Sequence, residues 1–184
     1  MPRHRFIGNA ILSLLTKIAS GYWKLSDFQT GYTAISLEIL QRLPLNKLYK
    51  RYGFPNDILV KCNVINTRVL EVSVKPIYRD ERSGIRLWNV IPKISWLLIK
   101  DFLWRLKEKY IIRDFHPLVF FYFFGGTAFL IGAVFGAYLL IYRIVAGPVS
   151  GTSALFAMLF FLFGTQALFF AMWFDMDSNK ELQK

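Results

Sequence analysis

Residues 118–142 read LVFFYFFGGTAFLIGAVFGAYLLIY, a run without a single charged side chain. As a helix rising 1.5 Å per residue it would reach about 37 Å, and a hydrocarbon core of about 30 Å needs only some 20 apolar residues to be crossed. Residues 154–174, ALFAMLFFLFGTQALFFAMWF, form a second run of the same kind. Between them, RIVAGPVSGTS (143–153) carries Gly147-Pro148 and Gly151, residues that break a helix and set a tight turn. The reading is a transmembrane hairpin over residues 117–175, with spans at about 118–142 and 154–174.

The composition agrees with a membrane protein. A hydrophobic content of 54%, with 17% aromatic, exceeds what one soluble core in a 184-residue chain requires. Nearly all Lys and Arg precede Phe115, whereas the connection between the runs holds only Arg143. The positive-inside rule therefore places the amino-terminal part in the cytoplasm, and an even number of spans returns the tail, residues 176–184, to the same side. The formal charge of +11 points to anionic lipid headgroups. Nucleic acid is not expected as a partner, because the basic residues are interleaved with apolar helix patterns and no aromatic-basic stacking platform occurs.

Other signals are mostly exclusions. The lone Cys62 supports neither a disulfide frame nor a thiolate metal site. His4 and His116 are far apart in sequence, and Asp175-Met176-Asp177, directly after the second run, reads as a polar stop, so no metal site is assigned. The first 21 residues have the basic start and apolar middle of a signal peptide, but Asn9, Ser13, Thr16 and Lys17 interrupt the apolar stretch. Ile7, Ile11, Leu14, Leu15 and Ile18 instead follow helical spacing and predict an amphipathic helix ending at Gly21.

Between these ends the pattern suggests an α/β domain over residues 1–87. GYTAIS (31–36) alternates like a strand, LEILQRL (37–43) reads as a helix stopped at Pro44, and FPNDILVKCNVIN (54–66) reads as a helix from near Pro55. TRVLEVSVKPIYR (67–79) is rich in β-branched residues and predicts a second strand. The charged loop RDERSGIRL (79–87) leads into a helix starting near Pro92. Ile94, Leu97, Leu98, Phe102 and Leu106 make an apolar stripe there, and the segment 88–116 is expected to lie in the membrane interface. The competing expectation is an ordinary domain helix covering a sheet.

Arg5-Phe6-Ile7-Gly8-Asn9, then Asp27-Phe28-Gln29-Thr30-Gly31-Tyr32, then Gly53 with Asn56-Asp57, then a basic glycine loop and two spans follow one another in an order that resembles a known family. It is the carboxy-terminal half of membrane-anchored family 2 glycosyltransferases, of the dolichol-phosphate mannose synthase and polyprenyl-phosphate glycosyltransferase type. The resemblance implies the carboxy-terminal part of a GT-A-like α/β domain that completes an enzyme moving a sugar from a nucleotide-sugar to a polyprenyl phosphate. It further implies that Asp27, Gln29 and Asp57 serve catalysis, and that Arg3 and Arg5 bind the acceptor phosphate, a role suited to the planar guanidinium fork. Arg82, Ser83, Gly84 and Arg86 would form the loop over the donor diphosphate, although this chain reads R-S-G-I-R where many relatives have R-x-x-G-x-S-K. The family's Asp-x-Asp metal motif and nucleotide-binding strands have no counterpart here. Mg²⁺ or Mn²⁺ is accordingly expected only in the completed enzyme, with ligands outside this chain and a separate amino-terminal polypeptide or an upstream frame supplying the donor half. A non-catalytic membrane adaptor or lipid-binding subunit is the alternative.

Overall fold

The computed structural model describes residues 3–28, 32–73 and 87–183. It divides into two units, one formed by Met1–Arg113 with Ser178–Lys184 and the other by Asp114–Asp177. The first contains α1 (Arg3–Ser20), α2 (Leu37–Arg42), α3 (Phe54–Val64) and α4 (Leu87–Lys107), and α4 widens into a π-helical segment at Glu108–Arg113. The second is the helix pair α5 (Leu118–Val145) and α6 (Gly151–Ser178).

The α/β expectation is overturned. Every regular element among the described residues is helical, and the only β pairing is an isolated bridge between Val69 and Gln183. Residues 32–36 lead into α2 without strand pairing, and 67–73 run as irregular chain; residues 74–79 of the expected second strand lie outside the described residues. A strand persists only when a neighbouring edge satisfies its backbone donors and acceptors. Val69 N donates to Leu182 O at 2.9 Å, but no strand pairs with this segment among the described residues, and the alternating Leu70 and Val72 stay exposed instead of facing a core.

Helices α1, α3 and α4 pack on one another. One cluster joins Leu12 and Ala19 of α1, Val60 of α3, and Ile94 and Leu98 of α4; the other gathers Tyr22, Leu25, Phe28, Leu43, Ile58 and Cys62. Helix α1 buries Leu12, Thr16 and Ala19, with Thr16 Oγ1 satisfied by Leu12 O at 2.8 Å, and leaves half of the Ile11 and Leu14 surface exposed. Helix α4 starts at Leu87 rather than Pro92, so the proline lies inside it. Its Ile94 and Leu98 face the core, while Trp96, Ile99 and Leu103 remain exposed.

The tail closes this unit. Asn179 Oδ1 accepts from Asn63 Nδ2 and from Lys109 Nζ, both at 2.8 Å, and its Nδ2 donates to Tyr110 OH at 2.8 Å. Gln183 Oε1 accepts from Lys24 N at 2.6 Å, and Leu182 packs on the Tyr22 cluster. Gly21 is required where these pieces meet: its φ is +75°, and a Cβ there would press on the Arg105 guanidinium and the Asn63 amide.

In the second unit both helices are long and apolar enough to cross a membrane. They meet through glycine, the small residue that lets helix backbones approach closely in lipid. A Cβ on Gly132 would strike the Phe161 backbone, and one on Gly164 the Phe129 backbone. The Phe129 and Phe161 rings pack 5.0 Å apart beside this contact.

Deleting residues 179–184 should lower the thermal midpoint of the first unit by roughly 10 °C or more, because buried amides and a phenol lose partners worth about 1–3 kcal/mol each. Gly164→Leu should instead separate α5 from α6, read by loss of cross-linking between cysteines placed on the two helices, and leave that midpoint unchanged. An unaltered midpoint after the deletion would refute the clasp.

Candidate functional site

The Asp27 segment is an exposed turn fixed from beneath. Leu25 and Phe28 are buried in the Tyr22 cluster, which points the intervening Ser26 and Asp27 outwards. Glu71 holds their backbone: one carboxylate oxygen accepts from Ser26 N at 3.0 Å and Ser26 Oγ at 2.8 Å, and the other accepts from Asp27 N at 3.1 Å. The backbone hydrogen bond from Ser26, followed by that from its hydroxyl, holds the Glu71 carboxyl below the ordinary glutamate range. Glu71 was not among the candidates, because the strand reading of 67–79 made it one polar alternate among several.

Asp57 has the opposite environment. It lies in the first turn of α3, where Pro55 fits the helix start, and it is 1% exposed. One of its oxygens accepts from Tyr49 N at 2.6 Å, and the other from Lys61 Nζ one helical turn on. Lys61 also lies over the Trp104 ring, 5.7 Å from its centroid. Asp101 of α4 lies buried within reach of the Asp57 and Lys61 charges. Burial, and then the Asp57 charge, push the Asp101 carboxyl up to about 7. Asp101 Oδ2 is buried without a hydrogen-bond partner among the described residues. The Asp101 carboxyl thus keeps its proton inside the helical unit, beside the Asp57–Lys61 pair, and the three buried groups lie where α3 meets α4. The Asp57-x-x-x-Lys61 spacing is visible in the sequence; Asp101 is signalled only by being an acid within an otherwise apolar stripe.

Arg3 and Arg5 fall in the first turns of α1, and their side chains lie outside the described residues. Gln29 and the loop residues Arg82, Ser83, Gly84 and Arg86 also lie outside them. Asp27 and Asp57 therefore separate into an exposed and a buried carboxylate. No group of three or more His, Cys, Asp or Glu side chains suited to a metal occurs among the described residues, so no step is assigned to Mg²⁺ or Mn²⁺ here. No protein family, curated protein or solved structure matches the chain.

The Asp101 proton gives a signed pH dependence. The ordinary aspartate value of 3.8 applies to the unfolded chain, and the folded value is about 7. Between these the folded state holds a proton that the unfolded state has released, so stability is greatest at the acidic end of the window and is lost as pH rises towards 7. The thermal midpoint should fall by roughly 5 °C or more between pH 5 and pH 8. Asp101→Asn, which keeps the shape of the side chain but cannot titrate, should flatten this slope; a slope unchanged in that variant would contradict the proton held on Asp101.

Proposed function

We propose that this chain is the acceptor-side, membrane-anchoring portion of a glycosyltransferase that transfers a sugar from a nucleotide-sugar to a polyprenyl phosphate. The observation that supports the reading best is the Asp27 turn: a carboxylate presented to solvent on a backbone that Phe28 and Glu71 hold in place. A carboxylate in that setting is open to an acceptor arriving from solvent, which it can orient or deprotonate. Arg3 and Arg5 on the first turns of α1 would hold the acceptor phosphate, and Asp57, buried beside Lys61 and Asp101, would act through the frame.

The membrane arrangement follows from the same chain. Both flanks of the hairpin belong to the first unit, so a hairpin that crosses the bilayer leaves and returns on one face, and the excess of Lys and Arg makes that face cytoplasmic. Trp96, Ile99 and Leu103, exposed on α4 just ahead of the spans, suit a helix resting at the headgroup level. A membrane adaptor is the second reading, favoured by the absence of any sheet among the described residues.

The test is made in membranes that contain this chain together with a polypeptide supplying the donor half. Asp27→Asn keeps size and turn-forming hydrogen bonds, so the protein should stay folded and membrane-bound. Transfer to polyprenyl phosphate should nevertheless fall by a factor on the order of 10² or more. Glu71→Ala, which frees the turn but keeps Asp27, should lower transfer less. Normal transfer in Asp27→Asn would reduce the motif to a turn and favour the adaptor.

A further inference from the structure

The hairpin opens towards its connection into a cleft of about 570 Å³. On α5 its wall descends from Arg143 through Leu140 to Gly136 and Ala133, and on α6 Ala157 and Met158 stand opposite. Among the described residues, Arg143 is the only charged side chain lining it. The cleft is real space between the helices: a Cβ on Gly136 would meet nothing within 4 Å, whereas one on Gly132, a turn deeper, would strike α6.

From Leu118 to Arg143 the helix rises about 37 Å, against roughly 40–45 Å for a bilayer with its headgroups. In a spanning hairpin Arg143 therefore reaches the phosphate level of the leaflet on the connection side, and the apolar cleft runs from it into the hydrocarbon. Two occupants suit an apolar cleft in a membrane, a lipid chain or a helix of a second copy. Charge decides between them. A two-fold contact across this cleft would bring two Arg143 side chains together, and residues 115–174 contain no Asp or Glu to offset them. A lipid with an anionic headgroup supplies the missing charge and fills the cleft with its own chain.

We infer that the hairpin carries a binding site for an anionic phospholipid of the connection-side leaflet, its phosphate on Arg143 and one acyl chain in the cleft floored by Gly136. The site rests on the spanning reading and is separate from the Asp27 turn. It gives the anchor a lipid-dependent element that does not involve the sugar acceptor.

The test attaches a benzophenone to Met158→Cys, leaving Cys62 in place because it is buried with its thiol pushed up to about 11 and is correspondingly unreactive. The protein is reconstituted in vesicles of equimolar phosphatidylglycerol and phosphatidylcholine, with Phe163→Cys as an outward-facing reference. Photoadducts at position 158 should favour phosphatidylglycerol about fivefold, the preference one arginine near the surface confers. Arg143→Gln should abolish that preference, and Gly136→Leu, whose Cβ has open space and whose side chain enters the cleft, should lower the yield of both adducts. Equal labelling of the two lipids in the unsubstituted background, or a protein dimer as the main adduct, would overturn the site. Lipid adducts at 163 but none at 158 would overturn the cleft alone; none at either position would overturn the spanning reading with it.

Discussion

The side-chain amide of Asn179 is the joint on which the architecture depends. It satisfies Asn63 of α3, Lys109 and Tyr110 of the π-helical segment, and it lies at the point where the chain comes back from α6. Buried amides and ammonium groups are costly unless every partner is present, so the tail either docks in full or leaves several polar groups stranded. Docking ties the departure at Arg113 and the return at Ser178 to one body. Two helices of 28 residues between fixed flanks can cross a bilayer only as a pair, out and back.

With no sheet among its described residues, the first unit relies on polar side chains to set how its helices meet. Arg105 is fully buried, donates to Ile18 O at 2.9 Å and lies over the Phe102 and Tyr110 rings. Asp57, Lys61 and Asp101 do the same work between α3 and α4. Removing one member of such a buried group costs about 3–5 kcal/mol, because its partner is left charged and dry. This division explains why two aspartates from neighbouring motifs have different fates. Asp57 is consumed by the frame, and Asp27, two residues from buried Leu25 and next to buried Phe28, is presented by it.

The sequence made some of this legible. Charge-free runs marked α5 and α6, Gly147-Pro148 marked their connection, and Pro44 and Pro55 marked the end of α2 and the start of α3. These signals are local, and local sterics enforce them. The alternation in 67–73 misled, because a period of two describes a strand only where an edge is available to pair with it. The stripe on α1 located a helix and its end before Gly21 but not its buried face: Ile11 and Leu14 stay half exposed, and Leu12, Thr16, Ala19 and Ser20 turn inwards. The joint at Asn179 was not legible at all, since Asn63 and Asn179 are separated by 116 positions and neither belongs to an apolar pattern. In the candidate site, Asp27 was visible as a motif, whereas Glu71 beneath it became visible only when the fold brought residues 44 and 45 apart into contact.

An acceptor-side glycosyltransferase portion and a lipid-dependent anchor both require that the helical unit stand on one face of the membrane with both flanks of the hairpin joined to it. Labelling with a membrane-impermeant maleimide in sealed, oriented vesicles measures this directly, using single cysteines at the exposed positions Lys47, Lys180 and Ser150. The account predicts that Lys47→Cys and Lys180→Cys are labelled from the same face and Ser150→Cys only from the opposite one. Labelling of positions 47 and 180 from opposite faces, or of all three from one face, would contradict it.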